Sequence, residues 1–169
     1  GAVYNGADNS GAASPVIINA VFLGNSAADG GAIANYAPFG GTATPLIANA
    51  TFVENESTGN GGAIFNSIGE SPGTAAPQIV NSILWSNRAD GSGDQIHNFG
   101  GTPTLSHSIV EGGDAGIGNG TAFSDGTNNL NQRPRFEYAP LPAGDDGRFA
   151  GDDDGLHPTP ESPAIDAGD

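Results

Sequence analysis

The chain has 169 residues, of which 19 are acidic, four are arginine and none is lysine. Its formal net charge is −15 at pH 7. Such a chain has too few cations to neutralise a phosphate backbone, which argues against nucleic-acid binding and against direct insertion into an anionic membrane. The absence of cysteine excludes disulfide scaffolds, thiolate metal sites and cysteine nucleophiles. Glycine and proline are abundant, at 28 and 12 residues, and this abundance indicates many turns.

The first recurring element is a pentapeptide that begins the chain as Gly-Ala-Val-Tyr-Asn, at residues 1–5. It returns as Gly-Ala-Ile-Ala-Asn at 31–35, as Gly-Ala-Ile-Phe-Asn at 62–66, and in degenerate form at 94–98. Each copy therefore begins about 30 residues after the previous one. A fixed period of this size is typical of solenoid architectures.

A second recurring element starts with proline and runs through a short apolar segment that contains asparagine. Its copies occupy 15–25, 45–55, 77–87 and 103–110. The first three copies carry asparagine at the same two places, and in the fourth copy His107 takes the first of them. The two elements thus keep a common register along the chain.

Each repeat contains three short apolar runs bounded by Gly, Asn or Pro, which predict three short strands with turns between them. We therefore predict an all-β fold, a parallel β-helix (β-solenoid) with about four coils of roughly 30 residues over 1–113. Residues 114–169 are expected to form a loop-rich segment that completes or caps the same domain. A β-sandwich and a disordered Gly-rich linker are the alternatives, but neither explains the register of the repeats.

The recurring asparagines are candidate structural residues. Asparagine tolerates the left-handed backbone conformation at a turn, and its amide can bond to the equivalent residue of the coils above and below. We expect a ladder formed by Asn19, Asn25, Asn35, Asn49, Asn55, Asn66, Asn81 and Asn87.

The pairing of Gly-Gly-Ala-Ile, at 30–33 and 61–64, with Phe-x-x-Asn, at 22–25 and 52–55, resembles the repeats of polymorphic outer membrane proteins. The final run Ser-Pro-Ala-Ile-Asp-Ala-Gly-Asp, at 162–169, is similar to the end of the choice-of-anchor Q domains of bacterial surface proteins. The resemblance implies a right-handed parallel β-helix that is secreted or attached to the cell surface and serves in adhesion or structure.

An acidic Gly-rich stretch lies at 144–155. Carboxylates on such a backbone suit a hard cation that takes six to eight oxygen ligands, so calcium is the candidate cofactor. The alternative is a solvated acidic loop without a metal. The candidate metal ligands are Asp145, Asp146, Asp152, Asp153 and Asp154.

A carbohydrate-active enzyme is the alternative function, because many parallel β-helices cleave polysaccharides. A lyase would use Arg88, near Asp90 and Asp94, as its base, but the charge of −15 would repel an anionic polymer. A hydrolase needs converging carboxylates, and Glu54 and the other turn glutamates do not recur at a fixed register. Trp85 either stacks on a sugar or covers a neighbouring loop.

The favoured function is a non-catalytic extracellular structural β-solenoid, located in the secreted or cell-surface compartment. Because the chain begins inside a repeat, we expect the first coil to be cut from a longer helix or covered by another molecule. The expected partners are other copies, stacked end to end in a surface filament, or a host or cell-surface ligand bound by an adhesin module.

Overall fold

A computed structural model describes residues 1–70, 72–120, 122–138, 140–147 and 154–165 of the chain. Within these residues the chain winds into a parallel β-solenoid of about four coils, which confirms the predicted all-β class. Every pairing between named strands is parallel and joins one coil to the next.

The strands follow the repeat of the sequence. The first coil contains β1 (Val3–Gly6), β2 (Ala12–Ala13), β3 (Val16–Ile18), β4 (Val21–Leu23) and β5 (Ser26–Ala27). The second contains β6 (Ile33–Tyr36), β7 (Thr42–Ala43), β8 (Leu46–Ala48), β9 (Thr51–Val53) and β10 (Glu56–Ser57). The third contains β11 (Ile64–Ser67), β12 (Thr74–Ala75), β13 (Gln78–Val80), β14 (Ile83–Trp85) and β15 (Arg88–Ala89). The fourth contains β16 (Ile96–Phe99), β17 (Thr104–Ser106) and β18 (Ile109–Val110).

Each of the first three coils therefore has five strands, and the prediction of three was wrong. Two strands of each coil are only two residues long and lie where the sequence is small or polar. Their side chains give no apolar run, but their backbone groups still pair with the next coil, as in Ser26–Glu56–Arg88. Stacking of identical turns extends pairing into segments that a hydrophobic pattern does not mark.

The core consists of aliphatic and aromatic columns that run along the solenoid axis. Sheet pairing aligns Ile33, Ile64 and Ile96 in one column, and all three side chains are fully buried. In another column the rings of Phe22 and Phe52 stack with centroids 4.7 Å apart. This spacing matches the distance of about 4.8 Å between paired strands, so register and packing reinforce each other.

The repeat continues beyond the fourth coil, into residues interpreted from sequence as a loop. A 3-10 helix (Gly113–Gly116) leads into β19 (Ile117–Gly118), which extends the sheet of β16. A short helix, α1 (Ala122–Asp125), follows, and Leu130 then pairs in parallel with Ile109 of β18. These elements together form a partial fifth coil.

No helix in the described part of the chain is long and apolar enough to cross a membrane.

The two ends of the solenoid differ. At the far end, Ala122 and Phe123 of α1 pack against the hydrophobic core and cover it. At the near end, the strands of the first coil lie at the edge of each sheet, and the inward-facing Val3 and Ile17 remain partly exposed. The fully buried Ile47 is the second-coil equivalent of Ile17. The first coil is therefore an open edge, whereas the opposite end is closed.

Candidate functional site

One polar feature of the coils is a buried row of asparagines inside the sheet formed by β1, β6, β11 and β16. The Asn5 Nδ2 donates to Asn35 Oδ1 over 3.1 Å, Asn35 to Asn66 over 2.8 Å, and Asn66 to Asn98 over 2.9 Å. All four side chains are buried. Each amide therefore hydrogen-bonds to the amide of the next coil. Burial of an amide without such a partner would cost free energy.

A second row follows β4, β9 and β14. Asn25 Nδ2 and its backbone N–H both donate to Asn55 Oδ1, and Asn55 makes the same pair of bonds to Asn87. The Nδ2 of Asn55 also donates to Phe22 O over 2.8 Å. In the fourth coil Gln95 ends the row, with its Oε1 accepting from Asn87 Nδ2 over 2.7 Å. This row ties each coil to both neighbours.

The third row lies at a corner, where the backbone is left-handed. Asn19, Asn49 and Asn81 have φ of 55°, 53° and 50°, and His107 continues the row with φ of 49°. Asn128 extends it into the fifth coil with φ of 54° and has its Nδ2 2.9 Å from His107 Nε2. Asparagine is among the few residues with a side chain that adopt this conformation readily. The residues of the corner row thus determine the backbone conformation of the turn rather than the packing of the core.

The predicted single ladder is therefore three separate rows with two different backbone conformations. Sequence reasoning left four members out of the ladder: Asn5, Gln95, Asn98 and Asn128. The pentapeptide repeat already carried Asn5 and Asn98 in register. The Asn-x-Leu pattern at 128–130 was the available signal for the fifth coil. Gln95 had no such signal, because its longer side chain reaches the row from a different position.

The predicted metal ligands lie in the C-terminal segment. Asp145 and Asp146 are exposed, whereas Asp154 is buried. Asp152 and Asp153 lie outside the described residues. Among the described residues there is no group of three or more His, Asp or Glu side chains arranged to hold a metal ion. Calcium binding at this segment stays a prediction.

The residues weighed as lyase candidates, Arg88, Asp90 and Asp94, lie close together. The Arg88 guanidinium forms ion pairs with Glu56 of the neighbouring coil and with Asp90 on the exposed outer wall. Asp94 accepts a hydrogen bond from the Ala89 backbone N–H over 3.0 Å. The guanidinium is therefore already engaged with two carboxylates on this wall.

His97 makes the one histidine–hydroxyl contact among the described residues. Its Nδ1 lies 2.7 Å from Ser92 Oγ, its Nε2 lies 3.4 Å from Asn119 Nδ2, and its ring stacks on Phe65. Burial lowers the pKa of His97 and favours the neutral imidazole, whereas a hydrogen bond to the backbone of Ser92 and the charge of Asp29 oppose this shift.

The buried polar side chains of the coils therefore form hydrogen bonds mainly with one another. Their hydrogen bonds join consecutive coils and leave the outer wall to carry any contact with other molecules. No protein-family model, curated protein or solved structure matches this chain.

Proposed function

We propose that the chain is a non-catalytic, extracellular structural β-solenoid and a module of a surface adhesin. The observation that carries this proposal is the use of buried amides, such as Asn35, Asn55 and Asn66, in bonds between coils. A row of this kind stiffens a rod and offers no group for acid–base work. The resemblance of the repeats to polymorphic outer membrane proteins and choice-of-anchor Q domains supports a location at the cell surface.

The unequal ends favour the adhesin module over a filament subunit. The open edge of the first coil suits pairing with a further coil, from the same chain or from another molecule. At the closed end Ala122 is buried and Phe123 packs against the core partly buried, so end-to-end stacking there would require α1 to move. A filament subunit is the second candidate, and the open edge is the observation that supports it.

Calcium is proposed as the ligand of the acidic C-terminal segment, with Asp145, Asp146, Asp152, Asp153 and Asp154 as the pool of ligands. The charge of −15 adds a general reason for divalent cations to stabilise the molecule. A specific site and general screening are separable, because calcium at a site raises the unfolding temperature more than sodium chloride of the same ionic strength. An equal rise in both salts would contradict the site.

The assembly state is tested by sedimentation and negative-stain imaging, first with calcium and then with a chelator. The adhesin module predicts short separate rods under both conditions, since its closed end blocks stacking. Long filaments would contradict this proposal and favour the filament subunit. Filaments that dissolve in chelator would also assign calcium to the contact between subunits.

The non-catalytic part of the proposal is tested by incubation with a panel of neutral and acidic polysaccharides. We expect neither new reducing ends nor unsaturated uronate products, because Arg88 is held by Glu56 and Asp90. Product formation would overturn the proposal. If Arg88→Gln then abolished that product while the fold stayed intact, the lyase alternative would take its place.

A further inference from the structure

A crevice lies between the outer wall of the solenoid and the C-terminal segment. Its volume is about 520 Å³, within the range of small-molecule sites. On one side the wall is formed by Val53 of β9 and Trp85 of β14, which are register partners in adjacent coils. The other side is formed by Arg133, Arg135 and Phe136.

The second wall is held in place by hydrogen bonds to residues 155–159. The Thr159 N–H donates to Arg135 O over 2.9 Å, and the Glu137 N–H donates to His157 O over 2.8 Å. Phe136 forms an antiparallel bridge with Pro158. Arg135 itself has a φ of 50°, a conformation disfavoured for arginine that such bonds maintain. The crevice is therefore preorganised, which lowers the entropic cost of binding.

The crevice is lined by basic side chains, although the molecule as a whole is acidic. Two of the four arginines line it, although the chain as a whole carries −15. Within the described residues, Arg133 has no carboxylate within 4 Å, and Arg135 makes one exposed contact of 3.3 Å with Glu161. An exposed pair of that kind is weak and easily exchanged for a ligand carboxylate. Arg88, by contrast, is already paired twice.

The side chains around the crevice suit one class of ligand. A guanidinium binds a carboxylate through two parallel hydrogen bonds, and an indole or phenyl face packs on the apolar C–H face of a sugar ring. Glu54, which also lines the crevice, is placed to accept a bond from a hydroxyl. We propose that the crevice formed by Trp85, Phe136, Arg133 and Arg135 binds an acidic sugar residue of a cell-surface glycan.

The net charge of the chain also limits which acidic glycans can bind in the crevice. A homopolymer of uronate would bring many negative charges close to an acidic surface and be repelled, whereas a single acidic residue in a neutral glycan would not. The crevice therefore selects an isolated acidic sugar. This inference rests on the proposed adhesin module, to which it supplies a ligand that is bound and not cleaved.

Trp85 provides a direct measurement, because it is the only tryptophan of the chain. Its fluorescence is followed during titration with a disaccharide that ends in glucuronic acid and, separately, with the glucose counterpart. We expect a saturable change with the acidic disaccharide that weakens as salt is added. Arg133→Gln should weaken binding about tenfold, as expected for the loss of a charged hydrogen bond. The matched control Arg88→Gln should leave the affinity within about twofold of the parent.

Circular dichroism and thermal unfolding establish that each variant is folded. Calorimetry with Trp85→Ala, in which the reporter is absent, tests the stacking surface, and we expect weaker binding there than with Trp85→Phe. Equal affinity for the glucose disaccharide, equal affinity for a tri-glutamate peptide, or an unaffected Arg133→Gln variant would each overturn the acidic-sugar site. Absence of binding overturns the site and leaves the structural module standing, whereas binding followed by cleavage supports the site and overturns the non-catalytic proposal.

Discussion

At the scale of single residues, asparagine serves two distinct purposes in this molecule. Asn35 and Asn55 are fully buried and extend their amides along the axis, so each links the coil before it to the coil after it. Asn49 instead lies at the corner with φ of 53°, and its amide contact with Asn19 is exposed. The first role depends on hydrogen bonding in a dry interior, and the second depends on backbone conformation.

The interior role predicts a large effect for Asn55→Ala. This change removes a donor to Asn87 Oδ1 and to Phe22 O, and it leaves both the Nδ2 and the backbone N–H of Asn25 without their acceptor. At about 1 kcal/mol for each lost bond, we expect the free energy of unfolding to fall by about 4 kcal/mol. The control is Asn25→Ala at the open edge, which should cost about 1 kcal/mol. Denaturant midpoints measure both, and equal losses would contradict the axial role.

His97 predicts a dependence of stability on pH. Burial lowers its pKa in the folded state, so the native protein favours the neutral ring while the unfolded chain binds a proton near pH 6.5. Stability from this residue is therefore present above about pH 6.5 and is lost as the pH falls toward the native pKa. We expect His97→Gln to remove this component of the dependence between pH 8 and 5.5. His157→Gln, at an exposed histidine, should retain it, and a parent-like pH profile for His97→Gln would contradict this assignment.

At the scale of elements, the coil is a set of strands whose corners must lie within contact distance of the next coil. Gly62 shows how close this approach is. A Cβ at Gly62 would lie 2.2 Å from Asp94 O and 2.6 Å from the backbone of Arg88 in β15. The backbone around Gly62 therefore leaves no room for a side chain at this position.

The close approach predicts that Gly62→Ala is strongly destabilising. The obstructing atoms belong to backbone, which moves only if the coil separates from its neighbour, so we expect a loss of about 3 kcal/mol. Gly24→Ala is the matched control, since a Cβ there meets nothing within 4 Å. Its φ of 62° should cost about 1 kcal/mol. Thermal unfolding of both variants tests the difference, and a larger effect at Gly24 would refute the packing argument.

The sequence predicts the elements that repeat with apolar side chains and misses those defined by backbone alone. The columns through Ile33 and Phe52 follow from the recurrence of their motifs, because a side chain at a fixed register must meet its equivalent. The strand at Ser26–Ala27 and the strand β19 have no such pattern and form because a neighbouring strand offers partners. The crevice at Trp85 could not be predicted for another reason. Its second wall is formed by residues 133–136, which are distant from Trp85 in the sequence.

At the scale of the whole molecule, stability is a sum of contacts between neighbouring coils, so each coil depends on the number of neighbours it has. The first coil has one neighbour, and its inward-facing Val3 and Ile17 remain partly exposed. The third coil lies between two others, and its Ile64 and Ile79 are fully buried. The rod is therefore weakest at its open edge and strongest at its middle.

This gradient predicts that unfolding begins at the first coil. In native-state hydrogen exchange, the amides of Asn19 and Gly24, bonded to Ala48 O and Val53 O, should exchange faster than those of Ile83 and Arg88 in the third coil. Raising the protein concentration adds a second expectation. If the open edge pairs with another copy, protection of the first coil alone should increase with concentration, because pairing supplies the missing neighbour. Uniform exchange across all coils would contradict the gradient and indicate that the rod opens as a single cooperative unit.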